Sequence, residues 1–448
     1  MPPYNRYNGW LPSNPAVYDA FVANLFKRGS ALKYRQLEGR IGEEHVPPVQ
    51  EFGDVIRQST VMKNLFDKII EQASQPRDST RRIESLDDLL YLLDPIVGEP
   101  PKFVAADPAL DPSTAEPVGV PMYLLFDIIS NTSAAYDLFR MEEFNAALKK
   151  LLNAWGTYLQ TLDSASTLVS DYGGWFSPQG MGVLQSAGRG SFDQTYVSDP
   201  SKPHRGYKSW DDFFTRAFQD GVRPLELPPG SQRDRMIFNA CESTVERWRH
   251  GVKAHDRFWL KGMSYSLSDM FQDENLAKEF EGGTVYQAFL SPQDYHRWHS
   301  PIDGTVELAK IVDGTYYAVL PDEGWYDDEV EPSGALIRCQ PWLSQSSTRA
   351  VFVIKGSEYI GRVAFIAIGM AEVSTCAIKI EPDPTIEQTS NEKPIVHAGD
   401  QLGMFHFGGS SHVLVFQHAA KIQLRTEDQV VVRGRHIQLR RNIGVSVA

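Results

Sequence analysis

After about residue 205 the chain changes its hydrophobic period, and that change most constrains what it can fold into. Downstream come short β-rich runs, TVELAKIV, YYAVL, AVFVI, RVAFIAIG, CAIKI, HVLVF and QVVVR, separated by Gly, Pro, Asp and Asn. Runs so spaced fit an antiparallel domain, barrel-like or sandwich-like, with few helices. Upstream the period is helical. Asn14 then Pro15 is a helix start, a capping side chain followed by proline at the first position. Val17, Phe21, Leu25 and Phe26 follow at helical spacing, with Gly29 the expected stop. Residues 98–121 are rich in proline without periodicity and read as a loop. Phe144, Leu148, Leu151, Leu152 and Trp155 mark the core face of a second long helix. The expectation is an α+β chain, a mainly helical domain over 1–200 and a β-rich, largely antiparallel domain over 205–448.

Composition removes several function classes. The 448 residues carry a net charge of −13. An acidic chain lacks the basic surface that phosphate attraction needs, so neither nucleic acid nor anionic membrane is an expected partner. Cys241, Cys339 and Cys376 are scattered, with no zinc or disulfide spacing, which suits a reducing compartment. The opening MPPYNRYNGW has no apolar stretch of the secretory kind. The apolar run PMYLLFDIIS carries Asp127 and stops at Asn131, too short to span a bilayer. The chain is expected to be cytoplasmic, without stable membrane insertion.

Three segments carry candidate chemistry. Gly408-Gly409-Ser410-Ser411 stands directly before the run Val413–Phe416. It reads either as a plain turn into a strand or as a Gly-Ser bond whose hydroxyl can attack the preceding carbonyl, glycine permitting the backbone conformation and the close approach. His296 and His299 stand three apart in SPQDYHRWHSPIDGTV. They read as structural residues, as part of a metal site with no third ligand nearby, or as bases for a nucleophile, imidazole being suited to that role near neutrality. Glu242 in FNACESTVERW reads as a surface carboxylate or, with Ser410 and His299, as the acid of a triad. The Gly-Gly-Ser-Ser run lacks the G-x-S-x-G elbow of a hydrolase.

Together these segments resemble the phosphatidylserine decarboxylase family. DYHRWHSPIDG is similar to its histidine motif, and GDQLGMFHFGGSS to its self-cleavage segment. SWDDFFTRAFQDGVRPL (209–225) and LKGMSYSLSDMF (260–271) add two more motifs in the family's order. A soluble fungal branch, the L-tryptophan decarboxylases, is more similar still. It shares an N-terminal helical domain opening near Gly9-Trp10-Leu11, then Ala240-Cys241-Glu242-Ser243 and Met404 to Ser411. Lipid enzymes of the family carry Asp where Glu242 stands and Thr where Ser411 stands.

The resemblance implies a phosphatidylserine-decarboxylase-like catalytic domain and a specific chemistry. Glu242 would hold His299, and His299 would take the proton of Ser410. Attack on Gly409 would cut the chain into 1–409 and 410–448, which stay associated, and convert Ser410 to a pyruvoyl group. That group, with neither pyridoxal phosphate nor metal, would be the electron sink for decarboxylation of a small-molecule amino acid, tryptophan giving tryptamine. His296, one turn from His299 if the segment is locally helical, would protonate the substrate carbon. Trp298, Phe405, His406 and Phe407 either stack on an indole or form core. A soluble phosphatidylserine decarboxylase, a Ser-His-Glu hydrolase and a non-catalytic relative are the alternative readings.

Overall fold

The computed structural model describes residues 12, 14–39, 45–73, 82–105, 107, 115–255, 265–320, 339–372, 375–380 and 393–448. Gly9-Trp10-Leu11, residues 260–264 of the LKGMSYSLSDMF segment and residues 108–114 of the proline-rich stretch lie outside them. The chain divides into two compact units. One takes the described residues of 1–183, 198–213 and 315–340, and the other those of 184–197, 214–314 and 341–448.

The first unit is mainly helical: α1 (Pro15–Leu37), α2 (Pro47–Gln58), α3 (Thr60–Gln72), α4 (Leu86–Val97), α5 (Pro121–Ser130), α6 (Ser133–Leu138) and α7 (Glu142–Leu159). Side-chain caps start several of them. Asn14 accepts from Ala16 N, Ser59 from Met62 N, Ser85 from Asp88 N and Thr132 from Ala135 N. Leu89, Leu90, Tyr91, Leu92 and Leu93 are all buried, so α4 is apolar on every side. It packs against α1, α2, α5 and α7, the surroundings such a helix requires. The expected stripe from Phe144 to Trp155 is buried on α7.

Gly29 does not end α1, which runs on to Leu37. A Cβ at Gly29 would lie 3.0 Å from both Leu92 Cδ2 and the Tyr91 carbonyl, so this glycine sets the approach of α1 to α4. The stretch 98–121 is not loop throughout, since β1 (Lys102–Val104) and β2 (Glu116–Val118) pair antiparallel. PMYLLFDIIS is α5, of 10 residues, with Asp127 accepting from Tyr123 Oη. No helix among the described residues is long and apolar enough to cross a membrane. YYAVL forms no strand. Its Tyr317 stacks on Phe126 at 4.5 Å, in the helical unit.

The second unit is antiparallel sheet. Its strands are β3 (Met236–Phe238), β4 (Ser243–His250), β5 (Thr284–Leu290), β6 (Arg297–His299), β7 (Gly304–Val312), β8 (Arg349–Lys355), β9 (Arg362–Met370), β10 (Cys376–Ile378), β11 (Ile395–Val396), β12 (Gln401–Phe405), β13 (Gly409–Phe416), β14 (Ile422–Leu424), β15 (His436–Ile437) and β16 (Asn442–Ser446). One eight-stranded sheet runs β11-β7-β8-β9-β13-β5-β4-β15, and two three-stranded sheets run β10-β12-β6 and β14-β16-β3. The expected change from helix to antiparallel sheet is what forms. QVVVR is not a strand, because Gln429 is left-handed (φ 62°) and the amides of Val430 and Val431 turn back to the Arg425 carbonyl.

β13 is central, paired with β9 on one side and β5 on the other, and wholly buried. Ser410 lies opposite Gly369 and Leu290. The chain reaches β13 from β12, a strand of a different sheet, by a corner at Gly408 (φ 135°). Only glycine holds that conformation without strain.

Candidate active site

Side chains on a strand alternate between faces, which separates the two adjacent serines. Ser410 and Ser411 are both buried, but they face opposite sides of β13. Ser410 Oγ lies 3.4 Å from His296 Nδ1. The other nitrogen of that ring, Nε2, is 3.1 Å from the carbonyl oxygen of Ser291. A carbonyl only accepts, so Nε2 carries the ring hydrogen and Nδ1 presents its lone pair to the Ser410 hydroxyl. Burial pushes His296 down to about 3, Asp294 opposing and Arg216 adding to the fall. The ring is therefore neutral at physiological pH, as a proton acceptor must be. Phe214 stacks on it at 3.9 Å, Phe407 packs against Phe214 at 5.5 Å, and Phe405 presents an edge at 6.5 Å. These rings keep water from the imidazole.

The loop before β6 is held by a buried ion cluster. Asp294 Oδ1 accepts from Arg189 Nε at 2.6 Å and lies 3.1 Å from His436 Nε2. Its Oδ2 accepts from Ser291 N at 2.7 Å, and Asp294 N donates to the Ser291 carbonyl. Asp294 thus fixes the carbonyl that sets the His296 tautomer, a positioning role that sequence reasoning missed. Its carboxyl is held well below the usual range, burial being overcome by Arg189 and His436. The only sequence sign was its place in DYHRWH. Phe214 was likewise visible only as part of the FFTR motif.

The expected line from Ser410 through His299 to Glu242 is not what the hydrogen bonds form. The segment is extended, not helical, with His296 just before β6 and His299 at its end. Residues three apart in extended chain point to opposite sides. His299 therefore turns away, its Nδ1 donating to the Gly399 carbonyl at 2.8 Å and its Nε2 accepting from Tyr295 Oη at 3.0 Å. Glu242 is fully buried and engaged elsewhere. It accepts from Arg223 Nη2 at 2.7 Å and from the backbone N of Leu439 at 2.7 Å. Its role in the geometry is to tie the carboxyl-terminal segment to the rest of the sheet domain. Of the four candidate aromatic residues, Phe405 and Phe407 flank His296 directly or through Phe214. Trp298 packs into the core against Phe405, Phe352 and Phe365. His406 is half-buried, its backbone N donating to the Thr375 carbonyl.

Burial also holds His299 and His412 down to about 3, with Arg440 adding to the fall at His299. In the unfolded chain each of the three histidines takes up a proton near pH ~6.5. Between that pH and about 3 the unfolded state binds more protons, so stability falls as pH drops through this window. Each ring contributes up to about 1.4 kcal/mol per pH unit. Asp294 adds little above pH ~5, because its stabilisation is lost only as pH falls through and below the ordinary carboxylate range. Urea midpoints at pH 7.5, 6 and 5 should fall steadily, and a flat series would show that the rings are not held neutral.

The sequence model of the phosphatidylserine decarboxylase family matches residues 210–438, and a second phosphatidylserine decarboxylase model matches residues 46–184. The chain is 46% identical to the decarboxylase iboD of Amanita muscaria over 356 residues, 78% of this chain and 97% of that protein. It is 29% identical to the L-tryptophan decarboxylase of Psilocybe cubensis over 443 residues, 96% and 93% of the two chains. The phosphatidylserine decarboxylase proenzyme of Fusobacterium nucleatum is 29% identical over 221 residues, 49% of this chain and 64% of that one. With half of its length matched by the family model and an Amanita relative aligned over nearly its whole length, the chain is a decarboxylase belonging to the phosphatidylserine decarboxylase family.

Proposed function

We propose that this decarboxylase is made as one chain, cuts itself between Gly409 and Ser410, and then decarboxylates an aromatic amino acid, L-tryptophan first among the candidates. The observation that carries the reading is the buried Ser410 hydroxyl facing the unprotonated Nδ1 of His296, immediately after the Gly408 corner. In this reading His296 takes the Ser410 proton and Oγ bonds to the Gly409 carbonyl carbon. The Gly409–Ser410 amide bond breaks, leaving an ester. Elimination frees the Gly409 carboxylate, and hydrolysis of the unsaturated residue leaves a pyruvoyl group at 410 and ammonia. The surroundings suit that group. Gly369 presents no side chain opposite Ser410, and Phe214 and Phe405 pack on the facing His296 ring, with Phe407 against Phe214. A pyruvoyl group supplies an electron sink for the carbanion left when CO₂ departs. Glu242 and His299 are assigned to holding the site together, through Leu439 and through Gly399 and Tyr295.

The choice of substrate rests on extent of likeness. The relative named for tryptophan matches this chain almost from end to end, whereas the bacterial lipid decarboxylase matches about half of it. The same reading places the protein in the cytoplasm, where scattered cysteines stay reduced. The test is to purify the protein, confirm two fragments by intact mass, and measure CO₂ and amine release. Tryptophan, phenylalanine, tyrosine, other free amino acids and phosphatidylserine vesicles form the panel. Release of tryptamine is expected. Turnover of the vesicles alone would make this a lipid decarboxylase, and turnover of nothing by a cut protein would remove the amino-acid reading.

A further inference from the structure

His412 has no part in the chemistry above, yet it stands two residues from Ser410 on the same face of β13. Two residues of strand place it about 7 Å along from the reacting position. It is fully buried, and neither ring nitrogen has a hydrogen-bond partner among the described residues. A neutral imidazole offers one donor and one acceptor, and leaving both unmet in the interior is costly. Its cross-strand neighbours are Ala367 and Ala288, both small. Tyr286 and Phe365, both opposite Leu414, stand by the ring at 5.9 and 6.0 Å on its side away from Ser410. A side chain that merely filled this space would be apolar. These surroundings suit a flat side chain carrying one hydrogen-bonding atom.

We infer that His412 selects the substrate, hydrogen-bonding a ring N–H or ring heteroatom on the side chain of the amino acid held at position 410. The inference rests on the amino-acid reading above and deepens it. The amino acid's side chain spans the distance from residue 410 to residue 412, past Ala288 and Ala367, with the Tyr286 and Phe365 rings beyond it. Recognition of this kind rejects a substrate that lacks the polar atom, because the imidazole is then left unmet.

The test uses the processed enzyme and whichever free amino acid the wild type decarboxylates fastest. That substrate is paired with an isostere lacking the ring polar atom; for tryptophan, the analogue with sulfur in place of the indole N–H. In His412→Phe, kcat/KM for the polar-ring substrate should fall roughly 10- to 100-fold and that of the isostere should change little. Calorimetry with the corresponding amines gives a readout apart from turnover. The polar-ring amine should bind roughly tenfold more weakly to His412→Phe than to wild type, and the isosteric amine equally well. His412→Gln, which keeps a donor and an acceptor, should fall between the two. An unchanged ratio in the variants overturns the inference while leaving the amino-acid reading intact, as does a best substrate with no polar side-chain atom. Absence of turnover of any free amino acid removes that reading first. If neither variant is cut, by intact mass, His412 belongs to folding or self-cleavage and the assignment falls.

Discussion

Ser410→Ala will give a single chain of 448 residues, with no fragment on a denaturing gel and no release of CO₂ from any substrate. The loss is complete because, in the proposed reaction, one atom, Ser410 Oγ, is both the attacking group and the precursor of the reactive carbonyl. The neighbouring serine cannot replace it. Ser411 faces the other side of the sheet, away from His296. Ser411→Ala should therefore still be cut, its residual effect limited to packing. Denaturing electrophoresis and intact mass read both outcomes. A cut Ser410→Ala protein, or an uncut Ser411→Ala protein, would move the scissile bond and with it the reactive group.

His296→Ala should slow cutting by ~10²–10⁴-fold, the usual contribution of a positioned base. His299→Ala should leave cutting largely in place. Both nitrogens of His299 are occupied, one by the Gly399 carbonyl and one by the Tyr295 hydroxyl, so that ring has no lone pair free for Ser410. Losing it costs stability, about 1–3 kcal/mol for each buried partner left unmet. The readouts must be kept apart: fragment ratio against time after translation for cutting, and urea midpoint for stability. The opposite pattern, His299→Ala uncut and His296→Ala processed, would restore the order of roles that motif resemblance implies.

What the residues announce on their own is local. Asn14 before Pro15, the α7 stripe and the change from helical to strand period each rest on neighbours a few positions apart, and each appears in the fold. The motifs likewise bring the right segments forward, since Ser410 and a histidine of DYHRWH do meet. Which histidine it is depends on whether that segment is helix or strand, and the eight residues between Pro292 and Pro301 do not declare it. Glu242 is decided by Arg223 and Leu439, respectively 19 and 197 positions away. No pattern in the chain links such residues, because loops far apart in sequence are brought together only by the tertiary fold. The misread runs fail for the same reason. QVVVR has strand composition, but a left-handed Gln429 turns it, and YYAVL stacks its Tyr317 ring on Phe126 of a helix instead of joining a ladder.

The position of β13 has a consequence for the lifetime of the cut protein. Residues 410–448 supply β13 to the middle of the large sheet, β15 to its edge, and β14 and β16 to a separate sheet. Folding runs on an intact chain, in which β12 delivers β13 to its slot as an intramolecular step. Once the bond at 409 is broken, that order cannot be repeated. Withdrawing the short piece means opening ladders on both flanks of a central strand at once, so its release is governed by a barrier and not by a weak equilibrium. Returning it after denaturation is a bimolecular search by a 39-residue peptide for a gap between two strands that will tend to close on each other. On the proposed cleavage the enzyme is a spent precursor that persists because it is trapped, and its working life should be measured as a half-life. Urea-denatured cut protein should fail to recover activity on dilution, whereas denatured Ser410→Ala chain should refold.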